Sequence, residues 1–140
     1  MRSVRTVAYE LPMRLFVSHD QSVLMRVALR YDDGDPYAVR AAFCLADRCA
    51  EAEWFLSRDM LDQALSRYTG QGDVRMWPAG GAGCDAVYIA LRTPAGSALL
   101  ELPARGVASF LRDTRSVVPQ GAESSRFDLD AELAHLLADS

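Results

Sequence analysis

A strict alternation of apolar and polar residues runs through the first third of the chain and restricts what it can become. Val7, Tyr9, Leu11, Met13, Leu15 and Val17 are apolar, and Thr6, Glu10, Arg14 and Ser18 stand between them. Side chains two apart share one face of a strand, so this pattern predicts an extended segment with one buried and one wetted face. The period returns in Val23, Met25, Val27, Leu29 and Tyr31, with Arg26 and Arg30 on the other side. His19-Asp20-Gln21-Ser22 between the two runs is turn-sized and polar, which predicts a hairpin. Tyr37, Val39, Ala41, Phe43 and Leu45 keep the same period, and a shorter run covers Ala50 to Leu56. Four successive strands with short links predict an antiparallel meander.

The period then changes. Met60, Ala64 and Tyr68 are spaced by four, as are Leu61 and Leu65, which predicts a helix from Arg58 to Tyr68 with Ser57 as its cap and Gly70 as its stop. Further strands are predicted at Asp73–Pro78, Asp85–Arg92 and Ser97–Leu102, the last two joined by a Thr93-Pro94-Ala95-Gly96 turn. The loop Ala79-Gly80-Gly81-Ala82-Gly83 is expected to be mobile, being too poor in side chains to pack. Pro103 suits the first turn of a second helix whose buried stripe is Val107, Phe110, Leu111 and Thr114. After a connector from Ser116 to Arg126, Asp128 is placed to cap a third helix with a stripe of Leu129, Leu133, Leu136 and Leu137, expected to dock on the body. The fold class is α+β, and no linker of domain-boundary length interrupts residues 1–140, so one domain is expected.

Charge narrows the range of partners. The net charge is −4, and all fifteen basic residues are arginine. The first 112 residues are balanced, and the whole acidic excess falls from Asp113 onward. No basic block supplies a phosphate-binding footprint, so nucleic acid is disfavoured as a partner. The start of the chain does not read as a secretory signal, because Glu10, Pro12 and Arg14 interrupt the apolar stretch, and no apolar run has membrane-spanning length. Cys44, Cys49 and Cys84 form no framework spacing and predict reduced thiols of a cytoplasmic protein.

Residue types that carry chemistry are present but not assembled. His19 lies in a predicted turn and His135 on the wet side of the last predicted helix, neither beside a nucleophile. Cys44 and Cys49 lack a second ligand pair for zinc and read as small buried side chains. Asp32-Asp33-Gly34-Asp35 begins like a calcium loop, but Pro36-Tyr37-Ala38-Val39 resumes a strand where further oxygen ligands are needed, so a turn is expected. The glycine-rich segments precede strands rather than a helix and carry no lysine, unlike a phosphate cradle. No catalytic residue, metal or cofactor is assigned on these grounds. Trp54, and Trp77 with Arg75 close by, are the candidate partner-binding residues, since tryptophan and arginine are enriched at contact hot spots, and the acidic last predicted helix is a further candidate surface. The competing expectation for each tryptophan is a place in the core.

Several blocks in order are similar to a known family. They are Leu29-Arg30-Tyr31-Asp32, Asp35-Pro36-Tyr37-Ala38-Val39, Trp54 with Arg58-Asp59-Met60-Leu61, Gly70-Gln71-Gly72-Asp73-Val74-Arg75 with Trp77-Pro78, and Phe127-Asp128-Leu129-Asp130. In this order and spacing the chain resembles the SsgA-like proteins of sporulating actinobacteria from Val7 to Ser140. The resemblance implies a whirly-like fold of two antiparallel β-sheets packed with about three helices, and a homotrimer. It also implies a non-catalytic regulator of sporulation-specific cell division. Leu99-Leu100-Glu101 running into Pro103-Ala104-Arg105 is most similar to the branch that places the division GTPase FtsZ at future septa, helped by an SsgA-type paralogue. The expected location is the cytoplasm at the division septum. The alternative function is single-stranded nucleic-acid binding, as whirly-type folds do elsewhere.

Overall fold

The computed structural model describes residues 5–49, 53–80, 85–94 and 96–123. The first three predicted strands appear as β1 (Thr6–Phe16), β2 (Ser22–Asp32) and β3 (Ala38–Leu45). The fourth, predicted over Ala50–Leu56, appears among the described residues as β5 (Trp54–Ser57), and a short strand that was not predicted, β4 (Arg48–Cys49), precedes it; the two pair along successive stretches of the same edge of β3. After α1 (Arg58–Ala64) come β6 (Thr69–Gln71), β7 (Val74–Ala79), β8 (Ala86–Thr93) and β9 (Gly96–Pro103), and then α2 (Ala104–Val117).

The expectation of two separate sheets is corrected. All nine strands belong to one sheet in the order β4-β3-β2-β1-β9-β8-β7-β6, with β5 beside β3. The cause is β1, which pairs with β2 over all eleven of its residues and whose far end also pairs with β9. Arg14↔Glu101, Leu15↔Leu100 and Phe16↔Leu99 join two antiparallel meanders into one surface. Two helices lie among the described residues rather than about three; the third predicted helix, His135 and Cys84 lie outside them, as does most of the Ala79–Gly83 loop.

The inner face follows the period-two reading. Leu11, Met13, Val27, Leu29, Val39, Met76, Ile89 and Leu102 are buried from the strands, and α2 presses Val107, Phe110, Leu111 and Thr114 onto them. Gly106 lets α2 approach β1, since a Cβ there would stand 2.7 Å from Leu11 Cδ2. The ring of Tyr9 meets Phe110 edge-on at 5.5 Å, and its hydroxyl donates to the Asp113 carboxylate. Pro103 offers α2 no side-chain cap, but the orphan Ala104 N–H is taken by the Asp85 carbonyl at 3.1 Å.

The first helix is shorter than its pattern predicts. Ser57 caps it as expected, its hydroxyl accepting from the Met60 N–H at 3.2 Å. It ends at Ala64 because the chain turns there and Thr69, Gly70 and Gln71 pair with β7, a strand too short to show a period.

Asp32 and Asp33 hold backbone and strand ends together. Asp32 accepts from the Thr6 hydroxyl at 2.6 Å, and Asp33 from the Arg5 N–H at 3.2 Å. Among the described residues no group of three or more His, Cys, Asp or Glu side chains is arranged to hold a metal.

The reading of Cys44 and Cys49 as reduced thiols is also corrected. The two residues face each other across the β3–β4 hairpin and are joined as a disulfide. The hairpin's two-residue loop puts Ala46 at φ +54°, in the left-handed region that disfavours a residue with a Cβ. Ala46→Gly is therefore expected to stabilise the protein by roughly 0.5–1 kcal/mol, the relief outweighing the extra freedom glycine gives the unfolded chain. Urea unfolding of the two proteins checks this; an unchanged or lower midpoint contradicts it.

Candidate functional site

The outer face of the second meander carries a row of aromatic side chains where the alternation calls for polar ones. Met76 points into the core, so its neighbour Trp77 points out; likewise Tyr88 lies between buried Val87 and Ile89. Strand register sets Trp77 opposite Tyr88, and Tyr88 opposite Glu101. The turn after α1 brings Tyr68 against Trp77, ring centroids 6.0 Å apart and planes at 21°. Trp77 stacks in turn on Tyr88 at 5.9 Å and 23°, and Tyr88 reaches Phe16 of β1 at 6.0 Å. Four rings thus cross the sheet from its β6 edge to β1.

The row beside this wall is Arg75, Ala90, Leu99 and Phe16. Ala90 has almost no side chain, so the surface dips there. Two depressions of about 680 and 690 Å³ share Trp77 and Ala90 and form one trough. One runs along Phe16, His19, Tyr88 and Leu99, the other along Tyr68, Arg75 and Pro78.

The trough's polar groups are mostly donors. Arg75 folds back over β6, donating to the carbonyls of Gly72 (2.9 Å) and Val74 (3.2 Å). This path needs glycine at position 70, where a Cβ would lie 2.5 Å from Arg75 Cδ. Among the described residues Arg14, Arg75 and Arg92 have no carboxylate within 4.0 Å, and Tyr68 and the Trp77 indole make no hydrogen bond through their side chains. Glu101 is the acid of the ring row, and it accepts from the Tyr88 hydroxyl at 2.8 Å. That hydrogen bond, reinforced by burial and by the carboxylate's charge, raises the Tyr88 pKa and keeps the phenol protonated. Asp73 lies at the edge with Arg75 and Arg92.

Arg75 and Trp77 therefore stand side by side on one surface. Trp54 does not join them: it sits across the sheet, paired with buried Ala41, where Met25, Phe43 and Leu100 line an apolar cavity of about 200 Å³. Tyr68, Tyr88, Phe16 and Ala90 were missed as site residues. Their signal was an aromatic on the wet parity of a strand, visible at Tyr88 between Val87 and Ile89 and at Phe16 between Leu15 and Val17.

The same chain plan recurs in proteins whose role is named. A family model described as "Streptomyces sporulation and cell division protein, SsgA" matches residues 25–123. The sporulation-specific cell division protein SsgB of Streptomyces coelicolor is 50% identical over 135 residues, covering 96% of this chain and 98% of the relative. The SsgB of Frankia casuarinae is 41% identical over 133 residues, covering 94% and 92%. A solved structure of an SsgA-like sporulation-specific cell division protein from Thermobifida fusca superposes with a TM-score of 0.85 at 37% identity, covering 96% of this chain and 98% of the other. A second, of SsgB in work on longitudinal cell division during sporulation of Streptomyces coelicolor, gives 0.82 at 46% identity, covering 90% and 98%. With a family model matching residues 25–123 and relatives matching almost end to end, the chain belongs to the SsgA family of sporulation and cell-division proteins.

Proposed function

We propose that this protein is a non-catalytic regulator of sporulation-specific cell division, which binds the division GTPase FtsZ and positions it at the septum. In this reading residues 1–140 form one domain, acting in the cytoplasm as a homotrimer and working with an SsgA-type paralogue. The observation that carries it is near-full-length similarity to proteins named for sporulation-specific cell division. The outer face supports it: stacked rings flanked by arginines are the composition of a protein-contact hot spot. The carboxylate of the ring row, Glu101, is engaged by the Tyr88 hydroxyl. No helix among the described residues is long and apolar enough to cross a membrane, so this reading recruits the protein to the septum through protein contacts.

Co-sedimentation of the purified protein with polymerised FtsZ tests the proposal, with a single-stranded oligonucleotide assayed in parallel at two salt concentrations. Saturable association with FtsZ and none with the oligonucleotide is the expected result. Oligonucleotide binding that weakens steeply with salt, without FtsZ association, would instead identify a phosphate-binding surface and overturn the proposal.

A further inference from the structure

We infer that the aromatic trough receives an extended, proline-containing and acidic peptide segment of a protein partner, held in a polyproline II conformation. The inference rests on the reading of this protein as a binder of a protein partner, and specifies the segment that its outer face accepts.

Shape gives the first argument. Rows of side chains on one sheet face follow one another at about 7 Å, two residues along a strand. The trough follows one such row, passing over Ala90 between the Trp77–Tyr88 wall and the Arg92–Ser97 row. An extended chain fits. Across β7, β8, β9 and β1 the trough spans about 15 Å at ordinary strand spacing, the length of roughly five polyproline II residues.

Hydrogen-bonding chemistry gives the second. Among the described residues the Trp77 indole N–H and the Tyr68 hydroxyl make no hydrogen bond, and the guanidiniums of Arg14, Arg75 and Arg92, bonded at most to a hydroxyl or to backbone carbonyls, meet no carboxylate, while the Glu101 carboxylate is engaged by Tyr88. A proline lacks an N–H, and a polyproline II segment makes no internal hydrogen bonds, so it presents carbonyl acceptors and apolar rings. Donors on the protein then meet acceptors on the peptide, and acidic residues at its ends meet the arginines.

A nucleic acid also offers acceptors, but base stacking needs open ring faces. Both faces of Trp77 are covered, by Tyr68 on one side and Tyr88 on the other.

The test is a selection of random twelve-residue peptides displayed on phage, using the full chain as bait and an Ala90→Leu chain, whose leucine fills the trough floor, as counter-target. Enriched peptides are expected to carry two or more prolines and acidic residues. A synthetic copy should bind the wild type and bind Ala90→Leu, Trp77→Ala and Arg75→Ala at least tenfold more weakly. Phe55→Ala, a change at an exposed ring on the first meander, should leave binding unchanged. Thermal midpoints separate lost binding from lost folding. Should Trp77→Ala unfold, the other two trough variants still decide. Peptides without proline or acids, equal binding to Ala90→Leu, no enrichment over it, or tighter binding of a twelve-nucleotide single strand would each overturn the inference. Peptide selection as expected with no FtsZ association would sustain the trough's ligand and refute the FtsZ reading. FtsZ association undiminished by Ala90→Leu, with no peptide enriched over that counter-target, would do the reverse.

Discussion

Arg58→Ala is expected to destabilise the protein by about 3–5 kcal/mol, because it breaks a buried ion pair and strands the partner's charge. Arg58 starts α1 but turns its guanidinium away to the end of α2. There it donates to the carbonyls of Thr114 at 3.3 Å and Val118 at 2.7 Å, and to the Glu123 carboxylate. The last carbonyls of a helix have no partner within it, so this arginine caps α2 from 60 residues away in sequence. Its guanidinium also lies 5.0 Å from the centre of the buried Tyr31 ring. The side chains are only 5% and 8% exposed, so water cannot replace what is lost.

Acid exposes the same pair. Burial by itself raises the Glu123 pKa, but the Arg58 hydrogen bond, the backbone N–H groups of Glu123 and Gly121, and the arginine's charge outweigh it and hold the group below its ordinary value of 4.5. A carboxyl depressed on folding contributes stability that is complete above its unfolded pKa and is lost as pH falls through the folded one. Glu123→Gln should therefore cost most near neutral pH, and the gap from wild type should shrink as pH drops below 4.5. Urea unfolding of both proteins at neutral and acid pH measures this. A gap independent of pH would show that the carboxylate's charge is not what holds the end of α2.

Trp77→Ala should lower the affinity for FtsZ by roughly 30-fold or more, the range of about 2–4 kcal/mol that a central aromatic anchor carries at a protein interface. The fold should survive. Trp77 is half-buried on the outer face, and its loss removes two ring stackings worth about 0.5–1.5 kcal/mol each, not a core contact. Arg75→Ala is the cleaner partner variant, since its guanidinium is exposed and bonds only to nearby carbonyls. Affinity is read by co-sedimentation and folding by circular dichroism. Full affinity in a folded Trp77→Ala protein would remove this face as the FtsZ contact, whereas collapse of the fold would place Trp77 among the structural residues.

Much of the architecture could be read along the chain because a strand or helix buries one face and writes it as a period. β1, β2 and β3 match the alternation within a residue or so, and the stripe of α2 is buried as the four-residue spacing requires. β6 escaped because three residues are too few to show a period, and α1 was overextended because Tyr68 kept the helical spacing while its ring went to Trp77. The candidate site was half legible. Arg75 and Trp77 stood out by residue type, whereas Tyr88 and Phe16 gain their meaning only from strand register. Trp54 was indistinguishable from Trp77 by composition, yet the parity of β5 turns it to the inner face.

Local sterics and side-chain period, both properties of a few neighbouring residues, determined from the sequence alone the α+β class, the order of the long strands, the cap at Ser57 and the buried face of α2. Contacts between distant residues decided the rest. The merging of two meanders into one sheet depends on three pairs between β1 and β9, the capping of α2 on an arginine beyond the intervening strands, and the ring wall on the register of four strands. Such pairings leave no period, because each partner meets its local requirements equally well without the other, and only the packed chain brings them together.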